Sequence, residues 1–76
     1  MNKKRRSRIA ELASQLEAIA LEIEALQDEE QEAFDNLPEG IQASEKGERM
    51  EEVINALEEA KDAVNEIILS LETAAE

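Results

Sequence analysis

From Ile9 onward the apolar residues advance in steps of three and four: Ile9, Leu12, Leu16, Ile19, Ile23 and Leu26. The same positions then hold Glu30 and Ala33. Such steps average to the turn of an α-helix and define a heptad register, with 9, 16 and 23 at a and 12, 19 and 26 at d. Ala13 and Ala20 fall at e and widen the stripe to the three-in-seven face of a bundle helix. Most other positions are Glu, Gln or Ala, all good helix formers. Leu21, at f, lies outside the stripe.

A second stripe runs through Met50, Ile54, Leu57, Lys61, Val64, Ile68, Leu71 and Ala75. Val53, Ala60, Ile67 and Ala74 recur beside it at g. Lys61 is the polar residue of this a/d stripe. Its aliphatic stem is expected to pack while the ammonium reaches out to Glu58 or Asp62. Between the stripes, Pro38 disfavours helix at Leu37, and Gly40 and Gly47 are the chain's two glycines. Asn36, followed by Glu39, reads as the N-cap of one short helical turn, and Ser44 as the cap of the second long helix.

The pattern therefore predicts an all-α fold. Two long antiparallel helices, at about 4–35 and 45–74, are joined by a turn at 36–44 into a helical hairpin. Residues 1–8 form a basic N-terminal arm leading into the first helix, and residues 9–76 the hairpin itself. One hairpin covers only part of each stripe, so two copies are expected to pair into a homodimeric four-helix bundle. The candidate core and dimer face is Ile9, Leu12, Leu16, Ile19, Ile23 and Leu26 on one helix. On the other it is Met50, Val53, Ile54, Leu57, Val64, Ile67, Ile68 and Leu71.

Composition narrows the chemistry. In 76 residues there is no cysteine, no histidine, no tryptophan and no tyrosine, and Phe34 is the lone aromatic. Thiolate and imidazole chemistry are thereby excluded, and so are aromatic platforms for nucleic-acid bases. A chain of this length buries only roughly 60% of the surface that its unfolded form exposes, so its own core is thin.

The formal net charge is −12, and its distribution is uneven. Lys3, Lys4, Arg5, Arg6 and Arg8 crowd the first eight residues, while Lys46, Arg49 and Lys61 face all 20 acids over the rest. Such a body repels nucleic acid and anionic membranes. Glu11, Glu17, Glu22 and Glu24 interrupt any apolar run after the basic start, so neither a signal peptide nor a membrane span is expected, and the setting expected is cytoplasmic.

Candidate sites are few. Asp28, Glu29, Glu30, Glu32 and Asp35 form the densest acidic cluster, without the glycine and alternating ligands of a calcium loop. The reading preferred there is solvated surface, and no cofactor or metal is expected. The basic arm (Lys3, Lys4, Arg5, Arg6, Arg8) is a candidate contact for nucleic acid or an acidic protein surface. The structural alternative is neutralisation by Glu66, Glu72 and Glu76 across the hairpin, with a frayed helix start. Phe34, Leu37 and Ile41, around the turn, form either a recognition knob or a cap on the core.

The stretch Asp28-Glu29-Glu30-Gln31-Glu32-Ala33-Phe34-Asp35-Asn36-Leu37-Pro38-Glu39, continuing through Ser44 to Glu51, resembles a small family of bacterial and prophage-encoded proteins. Its members begin with a short basic stretch and continue as two acidic amphipathic helices. The resemblance spans most of the chain and implies a phage or mobile-element setting, where small acidic proteins bind host proteins. The family has no assigned activity and so brings no catalytic residues.

The function expected is a non-enzymatic protein-binding module that occupies a host or phage protein's surface, with itself as a further partner and no small-molecule substrate. The alternative is an acidic DNA mimic that inhibits a DNA-binding protein or nuclease. Nucleic-acid contact through the basic arm comes third.

Overall fold

A computed structural model describes residues 2–76 as a helical hairpin. Helix α1 spans Lys3–Asp35, α2 is the short Glu39–Gln42, and α3 spans Glu45–Ala75. The described residues contain no strand. α1 packs antiparallel along α3, giving a rod with principal extents of 59 × 14 × 12 Å. Its radius of gyration is 17.3 Å, against about 11 Å for a compact domain of this length.

The seam is narrower than the apolar stripes. On α1 the side chains turned toward α3 are Ile9, Ala13, Leu16, Ala20 and Ile23, then Gln27, Glu30 and Phe34. These are the a and e positions. The d residues Leu12, Ile19 and Leu26 remain exposed, at 51%, 43% and 54%. Ala13 and Ala20 are the buried residues of this helix, and their small side chains let α3 approach the e edge closely. On α3 the seam follows a and d, from Met50 through Ile54, Leu57, Lys61, Val64 and Ile68 to Leu71, with Ile54 and Ile68 buried.

The helix starts differ from the sequence expectation. The basic arm is part of the first helix: α1 runs from Lys3, and the Asn2 side chain accepts from the Arg5 backbone N–H at 2.8 Å. That cap satisfies one of the four orphan N–H groups of the first turn. Asn36 is not the N-cap of the short helix. With φ −83° and ψ −6° it continues the helical path and ends α1, its N–H donating to the Glu32 carbonyl at 3.1 Å. Pro38 takes the N-cap position of α2 instead, with extended backbone.

Ser44 does begin α3, but its hydroxyl donates back to the Ile41 carbonyl rather than accepting from the new helix. Gln42 secures the connection, its amide donating to the carbonyls of Phe34 at 3.1 Å and Leu37 at 3.2 Å. The Phe34 carbonyl in the last turn of α1 and the Leu37 carbonyl in the connection thereby gain a donor.

Gly47 is not a turn residue. It lies buried inside the first turns of α3, where a Cβ would sit 2.0 Å from the Gln42 carbonyl oxygen. The backbones of α2 and α3 can cross this closely only over a residue without a side chain. A Cβ at Gly40 would meet nothing within 4 Å.

Candidate protein-association face

The two long sides of the hairpin are chemically opposite. On one side, three crevices open between the helices. They are lined by Ala10, Ala13, Ser14 and Glu17 with Glu72 and Ala75; by Glu17, Ala20, Leu21 and Glu24 with Lys61 and Asn65; and by Gln31 and Phe34 with Glu51, Ile54 and Asn55. Every crevice is therefore flanked by the b row of α1 and the e row of α3, which carry Glu17, Glu24, Glu51, Glu58 and Glu72.

The other side is apolar. The d row of α1 and the g row of α3 are each displaced by about 80° from their seams, in the same rotational sense. Because the helices run antiparallel, equal displacements bring both rows to one side of the hairpin. There Leu12, Ile19 and Leu26 run alongside Ala74, Ile67 and Ala60, with Val53 further toward the turn. Ile67 is 50% exposed, Ala60 is exposed and Val53 is half-buried. Exposed Ala56, Ala63 and Ala74 extend the patch at small cost in height. None of these residues borders a crevice of the acidic side.

The surface area agrees. The chain exposes 5693 Å², whereas a compact monomer of its mass exposes about 4,700 Å². The excess, of the order of 1,000 Å², is about what one partner buries in a specific interface. Core burial is correspondingly slight: Ala13, Ala20, Ile54 and Ile68 are the buried apolar residues, and no described side chain is fully enclosed.

Near the middle of the seam, one carboxylate oxygen of Glu58 accepts from the Gln27 amide and lies 3.4 Å from the Lys61 ammonium. The Gln27 hydrogen bond, then Lys61 as donor and as charge, hold the Glu58 carboxyl below the usual carboxylate range against a small opposing effect of burial. Lys61 itself is mostly covered, with its head directed to this carboxylate.

Other candidate residues do not form a site. Lys3, Lys4, Arg5, Arg6 and Arg8 are all exposed along the first turns of α1. Among the described residues, no ion pair joins Lys3, Lys4, Arg5 or Arg8 to the carboxylates of α3. Phe34 and Leu37 are half-buried against the turn, while Ile41 is exposed. The acidic cluster around Glu30 gathers no group of three or more potential ligands around one point among the described residues. No helix among them is long and apolar enough to cross a membrane. The chain matches no protein-family profile, no curated protein and no solved structure.

Sequence reasoning missed three features here. The Gln42 bonds span five and eight residues and follow no local capping pattern. The Gln27 to Glu58 bond joins two residues that heptad assignment leaves at flanking positions. Leu69, with its side chain exposed on the far edge of α3, belongs to neither stripe, and nothing in the fold explains it.

Proposed function

We propose that this chain is a non-enzymatic protein-binding module whose apolar face is occupied by a second copy, giving a homodimeric four-helix bundle. One observation carries the reading. Leu12, Ile19, Leu26 and Ile67 stand exposed in one continuous patch on a molecule with almost no core of its own. Pairing would give each hairpin the missing half of its core. It would leave the acidic side and the turn facing outward, as the surfaces that engage another protein of the host or phage, in the cytoplasm. The prophage setting comes from the resemblance of residues 28–51 alone.

The test is thermal unfolding followed by far-ultraviolet circular dichroism at several protein concentrations. A second-order transition makes the midpoint rise with concentration, because association stabilises the folded state by mass action. A midpoint that stays fixed over a hundredfold range would count against the pairing.

A second reading is favoured by the carboxylate rows of the acidic side, Glu17, Glu24, Glu51, Glu58 and Glu72. These would imitate a phosphate backbone and occupy the DNA groove of a binding protein or nuclease. Such inhibition should weaken steeply as salt is added. Inhibition that persists at high salt would remove the mimic from consideration.

A further inference from the structure

The hairpin is a charge dipole along its length. Residues 28–52, at the turn end, carry ten acids and two bases. The open end, residues 2–12 with 65–76, carries five bases and four acids. Two arrangements bring a pair of apolar faces together. A two-fold axis along the rod stacks turn upon turn, whereas an axis across it stacks each turn on the partner's open end. The first superposes two strongly negative ends. The second sets each of them against the basic arm.

We infer that the dimer is head-to-tail, with the basic start of α1 seated against the acidic end of the partner's α1. This rests on the proposed pairing and adds its orientation. Over three heptads both apolar rows fit a crosswise axis, with Ala33 and Val53 extending them at the turn end only. Leu12-Ile19-Leu26 is symmetric about Ile19, and Ala60-Ile67-Ala74 about Ile67. The hairpin's register, fixed by Gln27 against Glu58 and by the crevice of Glu17, Ala20 and Leu21 against Lys61 and Asn65, puts Ile19 and Ile67 at about the same level. One axis therefore serves both rows. It lays Leu12 on the partner's Leu26 and Ile19 on the partner's Ile19.

The rows by themselves do not choose, since stacking turn upon turn would set Leu12 against the partner's Ala74 and Leu26 against the partner's Ala60, which also packs. Charge makes the choice. Arg5, Arg8, Ile9 and Leu12 line a notch at the basic end of the apolar face. A crosswise axis at Ile19 brings the partner's Glu29 to Arg8, both at g, where antiparallel helices pair their flanking charges. Arg8, exposed and, among the described residues, in no ion pair with its own α3, then has a carboxylate from the partner copy. Opposite charges placed so fix register and suppress the wrong arrangement more than they add affinity.

The chain has no cysteine, so one introduced thiol reports without interference. Asn36→Cys, exposed at the turn and outside the apolar face, would carry a nitroxide spin label for pulsed electron-electron distance measurement. Head-to-tail pairing sets the two labels about 50 Å apart, from a rise of 1.5 Å per residue. Turn-on-turn pairing would bring them within about 20 Å and overturn the inference while leaving the dimer intact. A monomer gives no dipolar signal at all and would remove the pairing itself. Independently, Arg8→Glu should weaken dimerisation about tenfold at low salt, two pairs being lost per dimer. Adding Glu29→Arg to the same chain should restore it. Weakening without restoration would contradict the Arg8–Glu29 contact.

Discussion

The two sides of the hairpin differ in how they treat the same apolar seam. On the acidic side the flanking rows are Glu17, Glu24, Glu51, Glu58 and Glu72, with Ser14, Gln31, Asn55 and Asn65 lining the crevices between them. Water can satisfy every one of these polar groups, and Leu21 is the large apolar residue exposed among the crevice residues there. On the other side Leu12, Ile19, Leu26 and Ile67 each leave about half of their surface open to solvent. An amphipathic helix is normally a two-part object, with one part buried and one wet. Here each helix has a third sector, apolar and uncovered, and it lies on the same side in both. The lesson is that the width of an apolar stripe, more than its period, records how many neighbours a helix has.

That comparison can be broken altogether at Gly47. Alanine there would place its Cβ against the Gln42 backbone, and neither long side could form as described. Gly47→Ala should destabilise the hairpin by about 3 kcal/mol or more in urea unfolding, since backbone rather than a flexible side chain must move. Gly40→Ala, in open space within α2, should be neutral or stabilising by up to ~1 kcal/mol.

Next in size is a charge on the apolar side. Ile67→Lys should weaken self-association by about 3 kcal/mol, roughly a hundredfold, in sedimentation equilibrium. Asn65→Lys, two residues away but on the acidic side, should leave the association constant within about threefold. Equal effects of the two would erase the distinction between the sides.

A smaller effect is expected at the turn. Gln42→Ala removes the donor shared by the Phe34 and Leu37 carbonyls and should cost about 1–2 kcal/mol. Faster amide exchange of α2 and of the last turn of α1 would locate the loss.

The smallest effect is at Glu58. Its carboxyl lies below its unfolded value, so its contribution to stability is complete above the unfolded value and is lost as pH falls through the lowered one. Gln27→Ala removes the largest cause, so the Glu58 titration followed by NMR should move up toward the usual carboxylate range. A titration left unchanged would mean that the Gln27 contact does not persist in solution.

Much of the fold is legible in the sequence, for identifiable reasons. The 3–4 spacing over Ile9–Leu26 and Met50–Leu71 marks both long helices, and Pro38 marks the break between them. Which apolar row of α1 turns inward is not legible. Rows d and e flank a on either side, and d holds the larger residues. The seam nevertheless takes e, because Ala13 and Ala20 permit closer backbone approach than Leu12, Ile19 and Leu26 would allow. Local pattern also misplaces Gly47 and Asn36. Gly47's role depends on where Gln42 passes in space, and Asn36's on how far α1 continues before the chain turns. The apolar face was visible as a set of residues, but its division into a filled seam and an open side appears only once the helices are packed.

The central claim is that the open apolar side is covered by a second copy of the chain. Size-exclusion light scattering with refractive-index detection tests it most directly, since no Trp or Tyr is present to absorb. The account predicts a mass of twice 8.5 kDa, retained at high salt because the contact is mainly apolar. A mass of 8.5 kDa at every concentration and salt level would contradict it.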